Sequence, residues 1–229
     1  MIKLIDLLVE TKQDSIARKI TGDIVKSLVE QLKVKTRKYH SFEQERDIDL
    51  EKSNTTLKYY IVKETPKGFE RQDGLRVTDH LKVQGGVTRA GDVSIIVIVR
   101  TDTTLQDLDI NKAYYRILTL VRHELEHLYQ QDDPENRHSA LYKGGREKAS
   151  GIEEPSFQNN WKPRTQMDYR SQPTEMEADA KAINLLKKKK RISFEEAAKL
   201  YYQGFNLFSD IEIDTLVSNI SEYAKKFNF

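Results

Sequence analysis

Two histidines four residues apart, with a glutamate directly after the first, constrain this 229-residue chain more than any other feature: His123-Glu124-Leu125-Glu126-His127. On a helix the two imidazoles project from one face and can grip a single metal ion, while Glu124 stays close enough to handle a proton. The chemistry therefore demands a helix, and the flanking pattern supplies one. Tyr114, Ile117, Leu118, Val121, Leu125 and Leu128 recur at three- and four-residue spacing, which predicts an amphipathic helix over 110–131. The plain alternative is a core-packing helix whose histidines bind nothing.

A catalytic zinc ion takes three protein ligands and leaves one position for water. Cysteine is absent, so the third ligand is His, Asp or Glu. The segment Tyr169 to Ala180 offers Glu175, Glu177 and Asp179. Pro173 and Thr174 mark a helix start, with Thr174 as the expected N-cap and a helix over 174–190. Thr174 and Glu177 then have the spacing of a capping box, which gives Glu177 a structural role. Glu175 and Asp179 share a face. Glu175 is thus expected on Zn²⁺, with Asp179 behind it, accepting an N–H from a ligating histidine. The competing explanation is that all three acids favour a helix N-terminus through its dipole.

His123-Glu-Leu-Glu-His127 followed by Glu175-x-x-x-Asp179 resembles the gluzincin branch of the zincin metallopeptidases. The resemblance implies that His123, His127 and Glu175 bind zinc, that Glu124 is the general base, and that Asp179 supports a ligand. It also implies an active-site helix packed on a twisted sheet, one edge strand of which aligns an extended substrate. The run from Tyr169 through Pro173, Glu175 and Glu177 to Ala178 is similar to small metallopeptidases inferred in bacteriophage genomes. These likenesses span roughly residues 91–190. The long gap between the two motifs departs from the thermolysin pattern.

Composition narrows the remaining classes. Lys and Arg number 38 against 36 Asp and Glu, so a net charge of +2 gives no general grip on nucleic acid or on a membrane surface. No cysteine means no disulfide and no zinc ribbon. No signal peptide or transmembrane stretch is visible, so a cytoplasmic location is expected, or a virion if the chain is phage-encoded.

An α+β chain follows from the change of period along the sequence. Residues 2–10 and 14–35 read as helices, the second striped by Ile16, Ile20, Ile24, Leu28 and Leu32, a face for the domain or for a partner. Strands are expected at 57–63, 75–83 and 92–100, with turns at Gly85-Gly86 and Ala90-Gly91-Asp92, as an antiparallel meander in an antiparallel or mixed sheet. Residues 132–172 form a long connection, holding Phe157 and Trp161, of the kind that serves as a binding loop or a plain surface loop. Further helices are expected at 193–204 and 209–227, opened by capping boxes at Ser193/Glu196 and Ser209/Glu212. The expected organisation is an N-terminal helical segment, 1–40, and a zincin-like domain, 41–229. That domain divides into sheet and active-site helix (41–131) and loop with helical subdomain (132–229). His40 and His80 have no partner motif and read as surface residues.

The leading functional expectation is a zinc-dependent endopeptidase acting on a protein or peptide. Zinc activates water and polarises the carbonyl, Glu124 moves the proton, and a second group steadies the oxyanion. Tyr169, Tyr142 and His138 are candidates for that last role. The alternative is a structural or interaction protein on the same scaffold, such as a virion component within a larger viral assembly, in which zinc only joins two helices.

Overall fold

The computed structural model describes residues 11–36, 38, 40–50, 53–70, 80–87, 92–132, 167, 169–205 and 207–229. Its order is α1 (Lys12–Lys33), β1 (His40–Leu50), β2 (Ser53–Glu64), α2 (Pro66–Glu70), β3 (Leu81–Val87), β4 (Val93–Arg100), α3 (Ile110–Asp132), α4 (Pro173–Lys190), α5 (Phe194–Gln203) and α6 (Asp210–Phe227). The fold is mixed α+β, with one four-stranded mixed sheet and six helices among the described residues.

Strict alternation builds the sheet. Leu57, Tyr59 and Ile61 of β2 and Val93, Ile95, Val97 and Val99 of β4 all turn inward and are buried. The strand order is β1-β2-β4-β3. β1 runs antiparallel to β2 and β3 antiparallel to β4, but β2 and β4 are parallel, with Leu57 opposite Val93. The expected meander is therefore wrong. The chain leaves β2, lays down β3 at the far edge, and only then fills the gap with β4. The continuous apolar run of β4 fits that central place, because a strand flanked on both sides is buried more fully. β1 escaped notice in the sequence because Glu43, Glu45, Arg46 and Asp47 mask its period; as an edge strand it can carry them.

Gly85 and Gly86 are not a turn. Both lie inside β3, paired with Ile95 and Ser94. Gly85 falls on the inner face, where α3 crosses the strand. The expected strand 75–83 is seen only from Leu81 onward, and residues 75–79, 90 and 91 lie outside the described set, as does the expected helix 2–10.

One face of α1 joins the sheet core. Ile20, Ile24, Leu28 and Leu32 are buried against α3 and the sheet, which answers whether this stripe serves the domain or a partner. Burying each such side chain contributes about 1.5–3 kcal/mol. A buried ionic contact fastens the same helix to α3. Arg122 of α3 donates to Asp14 (3.0 Å) and also pairs within α3, with Glu126 (2.9 Å). The last turn of α1 is closed by Lys63, whose ammonium reaches the Val34 carbonyl at 2.5 Å.

A second apolar cluster joins α4, α5 and α6 through residues such as Ile183, Leu186, Tyr202, Ile213 and Leu216. Capping boxes open α5 at Ser193/Glu196 and α6 at Ser209/Glu212, as the sequence indicates. α4 lies between the two clusters, with Leu185 in the sheet core and Leu186 in the helical one. Its partner across the seam is α3, so the residues that these two helices turn toward each other are enclosed from both sides.

Candidate metal centre

The seam holds the histidine motif. His123 and His127 project from α3 toward the first two turns of α4, and all three expected ligands, His123, His127 and Glu175, are buried. Their donor atoms form a small triangle. The two Nε2 atoms are 3.0 Å apart. Glu175 places Oε2 3.3 Å from His123 Nε2 and Oε1 3.1 Å from His127 Nε2. This buried group could hold a metal ion, and it is the one group of its kind among the described residues.

What fixes the imidazoles is visible on their other side. His123 Nδ1 lies 2.9 Å from Asp179 Oδ1. His127 Nδ1 lies 2.9 Å from Gln130 Oε1. The Gln130 amide cannot be reversed without loss, because its nitrogen donates to the Thr174 carbonyl at 2.9 Å, a group that only accepts. Each Nδ1 therefore carries a proton, so that once any proton on Nε2 is displaced the Nε2 atoms present their lone pairs to the cluster, the tautomer a metal ligand needs.

Asp179 is the most enclosed group of the site. Besides His123 it accepts from Tyr201 (2.6 Å), Tyr202 (3.1 Å) and Arg170 (3.0 Å). Burial alone would raise its carboxyl, but Arg170 and His123 more than offset this and hold it below the usual carboxylate range. Glu175 behaves alike: burial opposes its charge, and His127 and His123 hold it well below the ordinary value. Burial also depresses the His123 imidazolium, yet Asp179 and Glu175 reverse this and carry it up to about 10. Burial pushes the Glu124 carboxyl up. Tyr169 donates to Glu175 Oε1 at 2.6 Å; burial and that carboxylate keep its phenol protonated.

Ionised Glu175 and Asp179, set against Arg170, leave a net negative charge with both imidazoles neutral, and the buried Glu124 and Glu177 lie beside them. A divalent cation would offset that charge. Without one, protons on the histidines take over the task, which is why His123 is driven so far upward.

Four of the expected site residues, His123, His127, Glu175 and Asp179, thus lie together, and Tyr169 touches Glu175. Glu177 does not play its expected part. The N-cap of α4 is Gln172, with proline in the first turn and no side-chain cap bond. Thr174 lies inside the helix, so the capping box is wrong; Pro173 starts the helix earlier than the threonine signal suggests. Glu177 is buried and accepts from Gln130 at 3.4 Å, beside the site rather than in it. His80 is half-buried against Thr103 rather than free at the surface, and neither it nor His40 enters the cluster. His138, Tyr142, Phe157 and Trp161 lie outside the described residues.

Sequence reasoning missed Gln130, Arg170, Tyr201 and Tyr202. Gln130 stood three residues after His127, on the same helix face, and that spacing could have found it. Arg170 sits with its guanidinium 4.5 Å from the Phe205 ring centre while bonding Asp179 and, at 3.4 Å, Glu175. Arg170 lies five residues before Glu175 and nine before Asp179, whereas the two tyrosines of α5 reach the site only through the packing of α4 and α5. No protein-family model, curated protein or solved structure matches the chain.

Proposed function

We propose that the chain is a zinc-dependent peptidase of the zincin type, gluzincin-like in its ligands. One observation carries this reading: the His123, His127, Glu175 triangle with Glu124 on the same helix beside it. A tetrahedral zinc site with bonds of about 2.0–2.1 Å separates neighbouring donors by about 3.3 Å. The two Nε2 atoms, 3.0 Å apart, are near that size, and Glu175 turns one oxygen to each imidazole, at 3.3 and 3.1 Å. Bound there, zinc would supply Lewis acidity toward water and a peptide carbonyl.

The residues of the chain supply the rest. His123, His127 and Glu175 hold the ion, and Asp179 and Gln130 fix the imidazoles. Glu124, its carboxyl raised by burial, accepts the proton of the attacking water and returns it to the leaving amine, a task helped by a pKa nearer neutrality. Tyr169, kept protonated, is the described candidate for a donor to the developing oxyanion. An extended peptide would lie along β3, which is an edge strand paired only with β4 among the described residues.

The burial of every ligand favours a second reading, in which zinc only joins α3 to α4 and the chain works as a structural or assembly protein, such as a virion component. Glu124→Gln separates the two. A peptidase retains zinc and fold in this variant and loses nearly all hydrolysis of an unfolded protein substrate. A wild type that carries zinc but cleaves nothing, with a variant that melts and assembles alike, leaves the structural reading standing.

A further inference from the structure

The inner face of β3 carries Leu81, Val83 and Val87, opposite the buried Val99, Val97 and Val93 of β4. Gly85, opposite Ile95, is the one inner position of this strand without a side chain. Backbone conformation does not ask for glycine here, since its φ lies outside the left-handed region. Space does. A Cβ built at Gly85 would stand 2.7 Å from Glu124 Oε1, 2.9 Å from its Cγ and 3.0 Å from its Cδ, all well inside the contact distance of about 3.5–4.0 Å. A Cβ at Gly86 would meet nothing within 4 Å. Among the described residues no side-chain hydrogen bond holds the Glu124 carboxylate; its electrostatic neighbours are His123, His127, Glu175 and Arg170.

We propose that Gly85 is a positioning residue: the missing side chain in β3 is the socket that seats the Glu124 carboxylate and sets its place relative to His123, His127 and Glu175. A methyl group at this point leaves the strand intact and displaces the end of a flexible side chain instead. Gly85 is itself exposed on the edge strand, so the added methyl acts on the Glu124 side chain and moves its carboxylate relative to the neighbouring histidines and Glu175. The catalytic half of this inference rests on the peptidase reading; the steric half does not.

The test is a double-mutant cycle on the full chain, with Gly85→Ala, Glu124→Asp and the two combined, and with Gly86→Ala as the control for a glycine-to-alanine change in this strand. Denaturant midpoints of the metal-free protein are expected to couple: Gly85→Ala lowers the midpoint, Gly86→Ala does not, and shortening Glu124 by one methylene recovers most of the loss. Additive shifts, or a Gly85→Ala variant that stays unfolded after Glu124 is shortened, overturn the proposal. In the zinc-loaded protein Gly85→Ala should keep stoichiometric metal and KM within twofold while kcat falls about 100-fold, the penalty for a misplacement near 1 Å. A fall in KM affinity or metal content with kcat intact also overturns it. If the wild type cleaves nothing, the peptidase reading fails, and the coupling in the metal-free protein still decides on the socket.

Discussion

His123 and His127 are usable ligands because each has its other ring nitrogen engaged. A histidine free at both nitrogens divides its protons between two tautomers; Asp179 and Gln130 remove that choice. Asp179→Ala and Gln130→Ala are each expected to weaken metal binding by about 10–100-fold, measured by competition with a chromophoric chelator, and the loss should be larger for Asp179, which also neutralises Arg170. His127→Ala should abolish stoichiometric metal. Glu175→Gln should cost far more metal than Glu177→Gln; the reverse order would show the wrong carboxylate was chosen. The pairing of His123 with His127 was legible in the sequence because helix periodicity alone brings residues four apart together. Tyr201 and Tyr202 were not, because their place depends on how α4 and α5 pack.

The elements show the same division. α1, α3, α5 and α6 were readable from their apolar spacing and their caps, since both signals are local. The parallel pairing of β2 with β4 was not, because a strand pattern records which face is buried and not which neighbour lies beside it. α4 was read one step late, a proline having taken the first turn. At this scale the buried group of Asp14, Arg122 and Glu126 joins α1 to the helix that carries the two histidines. Arg122→Ala would leave two buried carboxylates without their cation and should cost about 3–5 kcal/mol in urea denaturation. Metal content at low denaturant should persist, since Arg122 touches no ligand. Ser209→Ala removes a cap that is not part of either site and should cost only about 1 kcal/mol.

For the molecule as a whole, the centre is where two apolar cores are held together, and its charge is balanced either by a metal or by protons. These two states respond oppositely to pH. In the metal-free protein His123 titrates near 10, against an ordinary 6.5 in the unfolded chain. The stability this contributes is whole below about 6.5 and is lost as pH rises through 10. Metal binding displaces those protons, so metal affinity grows over the same range. The gap in Tm between metal-loaded and chelated protein should therefore widen from pH 6.5 to 9, and a constant gap would contradict the arrangement. No described helix is long and apolar enough to cross a membrane. The enclosure of the ligands has a kinetic consequence that separates the two readings. His123 is 3% exposed, Glu175 4% and His127 6%. If an ion there only joins α3 to α4, its escape waits for the helices to part, and the rate of loss levels off as chelator concentration rises, at the opening frequency of the seam. If the ion keeps an open position for a peptide carbonyl, a chelator enters by that same route and the rate keeps climbing with its concentration.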